Sequence, residues 1–143
     1  MTLTQHAVLT GVAAVGLAPL LDGESLALFA AGSILIDVDH YLLYIQRTHR
    51  FDIGGMFRYF ADLQPIQKTI PYVGLCIFHT VDFFLLVALL SCFQPLFIPL
   101  LAGLLFHFMI DILDLYRKGV QFIRPYFILE HVIRRRKKGY PWY

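Results

Sequence analysis

Asp37-Val38-Asp39-His40 places three ionisable side chains at the end of an apolar run from Leu26 to Ile36, and the same types recur in other apolar stretches: His6, then His79 with Asp82, then His107 with Asp111 and Asp114. Clustered imidazole and carboxylate form the ligand set of Zn²⁺, Mn²⁺ or non-haem Fe, and several carboxylates among the imidazoles allow two ions bridged by Asp. A metal so held polarises a phosphoryl or acyl oxygen and lowers the pKa of bound water to about 7, so the chemistry implied is metal-assisted hydrolysis. One or two divalent ions are expected, Zn first, then Mn or Fe.

The elements that must carry these residues read as membrane helices. The chain has 143 residues, 58% of them hydrophobic and 15% charged, too oily for a soluble core of this size. Four spans are expected: Leu3 to Leu21, Leu26 to Tyr44, Ile70 to Leu90 with Pro71 in its first turn, and a fourth opened by Pro95 and Pro99 and running to about Tyr116. The turn Asp22-Gly-Glu-Ser25 ends the first, whose Gly11, Ala13, Ala14, Gly16 and Ala18 suit close helix packing. The first stretch lacks a basic leader and a cleavage site and is read as a mature span. Between the second and third, Met56, Phe57, Tyr59, Phe60 and Leu63 alternate with Arg58 and Asp62 as in a helix lying on the membrane surface. Val120 to Ile133, interrupted by Arg124-Pro125 and Glu130-His131, reads as an amphipathic interfacial helix, and Arg134 to Lys138 as a basic anchor. The chain thus divides into an all-α four-span bundle, 1–119, with its connection 46–69, and an interfacial helix with a tail, 120–143.

All twelve Lys and Arg fall in the 46–69 connection or after Tyr116, which puts both termini on the cytoplasmic side. At helical rise, His79 and His107 each lie roughly 13 Å from that side. His6, Asp37, His40 and Asp111 fall nearer the same surface, and Asp82 lies deeper. Residues three, four or seven apart share a face, which pairs Asp37 with His40, His79 with Asp82, and His107 with Asp111 and Asp114. Asp39 points elsewhere in an ideal helix, so either the helix unwinds there or Asp39 meets a different neighbour. Arg47, Arg50 and Arg58 in the adjoining connection are placed to hold a substrate phosphate.

Plainer roles exist for each residue. His6 suits an interfacial position, and His49 and His131 suit solvent or headgroup contact. His79 and His107 suit a structural clamp with Asp82 and Asp111. Cys76, three residues before His79, suits a small apolar residue. Cys76 and Cys92 are sixteen positions apart, roughly 24 Å on one helix, which excludes a disulfide. The basic run lacks the aromatic or glycine pattern of a nucleic-acid binder.

Asp37-x-Asp39-His40 in the second span, Phe78-His79-Thr80 in the third and His107-x-x-x-Asp111 in the fourth, after His6, resemble in order and spacing the YdjM-type inner-membrane metal-dependent hydrolases. The resemblance covers residues 6 to 114 and departs from the family pattern in lacking a proline before Asp37 and an Arg-Gly pair before His79. It implies a bacterial inner-membrane hydrolase whose polar set is His6, Asp37, Asp39, His40, His79, His107 and Asp111. The expectation is therefore a metal set of His6, Asp37, His40, His79, His107 and Asp111, with Asp39, Asp82 and Asp114 supplying a catalytic base. The substrate would be an ester or phosphoester of a lipid-like molecule, with membrane lipid and a second copy of the chain as partners. The competing readings are a proton or cation carrier using the same residues, and a purely structural polar layer.

Overall fold

The computed structural model describes residues 3–69 and 73–136, and its regular structure among them is all helix, with no strand. The helices are α1 (Leu3–Leu17), α2 (Gly23–Leu35), α3 (Val38–Thr48), α4 (Ile53–Leu63), α5 (Val81–Ser91), α6 (Phe97–Lys118) and α7 (Ile128–Arg136). Two stretches, Gly23–Thr48 and Phe97–Lys118, are long and apolar enough to cross a membrane.

The centre is the crossing of α2 and α6. Small residues let the backbones touch: a Cβ on Gly103 would collide with the Phe29 carbonyl, and one on Gly32 with the Leu100 carbonyl. Glycine is required by that contact rather than by its backbone angles. Ile36, Phe84, Val87 and Leu104 pack beside it as the apolar core. Thr10 and Ser33 hydroxyls, 2.6 Å apart, pin α1 to α2. On α6 the buried stripe is Gly103, Leu104, His107 and Asp111, so the crossing that needs glycine also aims the polar residues inward.

Ends are closed locally. Asp22 caps α2 by accepting the Ser25 N–H at 2.8 Å, and the Tyr44 hydroxyl donates to Asp52 at 2.9 Å, tying α3 to the start of α4. The Ser25 N–H holds the Asp22 carboxyl below its usual range, and the Tyr44 hydroxyl does the same for Asp52. Both bonds therefore stabilise the fold at neutral pH and fade as pH falls through those lowered values. His49, at φ 55°, takes the left-handed position that ends α3, a structural role.

Three expectations about the spans need correction. The second is broken: α2 stops at Leu35, a turn occupies residues 36–37, and α3 starts at Val38. The third is not a continuous helix from Ile70. Residues 73–76 have no regular structure and end extended at Cys76, Ile77–His79 form one 3₁₀ turn, and α5 begins only after Thr80, whose side chain caps it; Pro71 lies outside the described residues. Gly74, at φ +152°, starts this irregular path, and the chain there bonds elsewhere, Val73 N–H to the Ile123 carbonyl at 2.9 Å. The 11 residues of α5 rise only about 16 Å, half a hydrocarbon core. In the C-terminal part, helix is confined to Ile128–Arg136, while Val120, Ile123, Arg124 and Pro125 are buried in turns against the bundle, so this segment helps close the bundle rather than lying apart from it.

Polar side chains are buried beside the apolar core, and many large apolar side chains face outward. Buried residues include His6, Thr10, Ser33, Asp39, His79, His107, Asp111 and Arg124, while Val12, Val15, Leu85, Leu89 and Met109 are more than half exposed.

Gly103→Leu is expected to destabilise the bundle by about 1–3 kcal/mol or more, because backbone must move to admit the side chain. Gly11→Ala, where a Cβ meets nothing within 4 Å, should stay within about 0.5 kcal/mol of the parent. Thermal unfolding of the two purified proteins in one detergent checks both.

Candidate metal centre

The break at 36–37 and the irregular path before α5 bring four segments to one point. The turn aims Asp37 inward, and the first turn of α3 carries Asp39 and His40. The 3₁₀ turn supplies His79, which is fully buried, as is His107 from α6. α1 contributes His6, whose ring stacks on that of His107 with centroids 3.9 Å apart.

Two ring nitrogens are assigned by their partners. His107 Nδ1 lies 2.6 Å from the Ser33 carbonyl, which can only accept, so Nδ1 carries the proton. His79 Nδ1 lies 3.0 Å from Asp39 Oδ2, which also accepts the Phe78 N–H at 2.6 Å. An ionised Asp39 fixes the proton on Nδ1 there as well. Both Nε2 atoms are then bare, and they face each other at 3.4 Å. Two lone pairs at that distance repel unless a proton or a metal cation answers them.

The surrounding atoms suit a metal. Asp37 Oδ1 is 3.4 Å from His107 Nε2 and 3.8 Å from His79 Nε2; Asp111 Oδ2 is 3.9 Å and 3.7 Å from the same pair. Tetrahedral ligands about 2.0–2.2 Å from one ion would stand about 3.3–3.6 Å apart. The Asp37, His79 and His107 atoms come close to such spacing, at 3.4–3.8 Å, and Asp111 Oδ2 lies slightly farther from the two imidazoles. Three overlapping groups, Asp37–His79–His107, His6–His107–Asp111 and His40–Cys76–His79, have ligand atoms close enough to hold a metal ion. Asp39 and the Ser33 carbonyl act as the outer partners that orient ligating imidazoles.

Charge points the same way. Asp37, Asp39 and Asp111 meet one buried cation, Arg124, whose Nη2 donates to Asp111 Oδ2 at 2.9 Å. With neutral imidazoles the cluster carries two negative charges in excess, which a divalent ion would cancel. His6 Nε2 sits 3.0 Å from Asp111 Oδ1, and His40 Nδ1 sits 3.1 Å from Asp37 Oδ1 without the alignment of a hydrogen bond.

Of the anticipated site residues, His6, Asp37, Asp39, His40, His79, His107 and Asp111 converge; the others are placed elsewhere. Asp82 does not share a face with His79, because Thr80 interrupts the helix between them. Its Oδ2 accepts the Ile128 N–H at 2.8 Å and tethers the start of α7. Asp114 pairs with Lys118 at 2.6 Å. Arg47 donates to the Val73 carbonyl at 2.7 Å, Arg50 is exposed, and Arg58, 81% exposed, lies 3.9 Å from Asp52. Arg50 and Arg58 face solvent, and Arg47 lines a second cavity together with Asp39. Asp39 is committed to two N–H donors, which makes it an orienting group rather than a base.

Two contributors escaped the sequence reading. Arg124 had a signal, a lone cation before proline in Phe122-Ile-Arg-Pro-Tyr126, read as an interruption. The Ser33 carbonyl had none, since backbone leaves no mark in residue type. Cys76 is buried at 4% exposure within reach of His40 and His79, closer to the centre than its plain reading implied.

Asp82→Ala should loosen α7, seen as faster amide exchange over 128–136, while leaving metal content unchanged; metal loss without loosening would return Asp82 to the site. No protein-family model, characterised protein or solved structure matches this chain.

Proposed function

We propose that this protein is a membrane-embedded, metal-dependent hydrolase acting on an ester or phosphoester of a lipid-like substrate. The observation that carries the reading is the pair of bare imidazole nitrogens, 3.4 Å apart, each within 3.4–3.9 Å of a carboxylate oxygen of Asp37 and of Asp111. Its ordered motifs support membership of the YdjM-type family and an inner-membrane location. The exposed apolar side chains support four crossings, and the confinement of Lys and Arg to the 46–69 connection and the residues after Tyr116 supports cytoplasmic termini. In this reading residues 73–91 cross as an irregular stretch, one turn and a short helix, the interrupted form that membrane helices take around ion sites.

Asp37, His79, His107 and Asp111 would hold the ion, with His6 and His40 flanking; the donor set of two imidazoles and two carboxylates favours Zn, with Mn or Fe as the other choices. The ion supplies Lewis acidity toward an ester or phosphoryl oxygen and toward water. Asp39 keeps the His79 proton on Nδ1, and the Ser33 carbonyl does the same for His107, so both rings present lone pairs to one point. His40 lines the adjoining cavity and, with Asp39 and Asp82 otherwise engaged, is the group placed to accept a proton from attacking water. His79 and His107 are fully buried, while Asp37 and His40 stay partly accessible and give water and substrate a way in.

Detergent-purified parent protein should contain at least one equivalent of Zn, Mn or Fe by elemental analysis, absent from a folded His79→Ala, His107→Ala double variant. Asp39→Asn should weaken metal affinity about 10–100-fold while retaining the site. Absence of metal after reconstitution with each divalent ion would overturn the reading, and metal-driven cation uptake into proteoliposomes without hydrolysis would replace it with a carrier.

A further inference from the structure

A cavity of ≈ 120 Å³ opens beside the metal centre, sharing His40, Cys76, Asp111 and Arg124 with it. The volume holds a few water molecules or one phosphoryl group, not a whole lipid. Its walls differ in kind. Leu43, Phe60, Leu63, Leu115 and Ile123 are apolar, and Gln64, Gln67 and Lys118 supply donors. Asp111 and Asp114 also line it, each already facing a cation, Arg124 at 2.9 Å and Lys118 at 2.6 Å.

Arg124 is the exceptional member. Its side chain is 8% exposed, yet one donor is accounted for by Asp111, and Nε is enclosed with no acceptor. A guanidinium has five N–H donors in a rigid fork suited to phosphate and carboxylate oxygens. Burying one with an unanswered donor costs free energy. Nε itself is sealed from the cavity, so a ligand there would be met by the Nη edge of the fork, from which Asp111 takes one bond, at Nη2.

We propose that Arg124 is the phosphoryl-binding residue of this site, and that the substrate is a phosphoester whose apolar part lies along Phe60, Leu63 and Leu115. This rests on the metal-dependent reading above and sharpens it, because it selects phosphoester over carboxylic ester. It also moves the anion-binding role from Arg47, Arg50 and Arg58 to a residue that reaches the centre. With an ion bound, the excess negative charge of the cluster would be cancelled, which removes the repulsion that a phosphoryl anion would otherwise meet beside Arg124.

The test uses the full chain in detergent, metal-loaded, with metal content measured on every sample. The probes are inorganic phosphate, dihexanoyl phosphatidic acid and, as a tail without phosphate, dihexanoylglycerol, titrated calorimetrically. Parent protein should bind the two phosphates and not the diacylglycerol. Arg124→Gln should bind both at least tenfold more weakly at parental metal content, and Arg124→Lys should recover part of the loss. Leu63→Trp, which fills the cavity without touching a charge, should weaken phosphatidic acid more than inorganic phosphate, and it carries the test if Arg124→Gln does not fold. Tighter binding of phosphatidic acid than of phosphate supports the apolar contact along Phe60, Leu63 and Leu115; equal binding overturns that contact. Metal-loaded Arg124→Gln, or Leu63→Trp, binding both probes with parental affinity overturns the inference alone. A parent protein without metal and without phosphate binding overturns the functional reading and this inference with it.

Discussion

Everything in this fold answers to one electrostatic constraint: three carboxylates and the bare faces of two imidazoles are enclosed within apolar helices. Charge in such surroundings persists only where partners are close. Arg124 answers part of it, Asp39 is held by two N–H donors, and Asp111 is held from both sides by His6 and Arg124. The excess that remains lies where Asp37, Asp111, His79 and His107 converge. The glycine crossing of α2 and α6, the break at 36–37 and the non-helical path before α5 are the backbone's responses to that demand.

The break illustrates how side chains replace backbone structure. A buried peptide N–H without a partner is expensive wherever water is excluded. Phe78 N–H lacks a helical partner because the chain there makes only one 3₁₀ turn, and Asp39 supplies the missing acceptor. The same oxygen orients His79. One carboxylate thus makes the irregular backbone tolerable and sets the ring's tautomer, so the irregularity and the site are one device.

How much was legible follows from what each feature depends on. His6, Asp37, His40, His79, His107 and Asp111 stand out in sequence because ionisable residues are conspicuous in apolar runs, and counting along ideal helices brought them to a common depth. The same counting misassigned Asp82, since helical phase is meaningless across Thr80. Hydropathy registers how oily Ile70 to Leu90 is and not whether its backbone is helical, so the irregular stretch 73–76 and late start of α5 were invisible. At Asp37 the ambiguity was visible, because Asp39 did not fit the stripe; its resolution needed Phe78 and His79 in three dimensions. Arg124 was hidden by distance along the chain, and neighbouring aromatics made its segment resemble a surface helix.

His6 and Arg124 grip opposite oxygens of the same Asp111 carboxylate. One comes from α1 and the other from the turns after α6, so segments more than a hundred residues apart meet on a single side chain. The two ends of the bundle are thereby fastened to each other through α6, and the fastening is ionic rather than apolar.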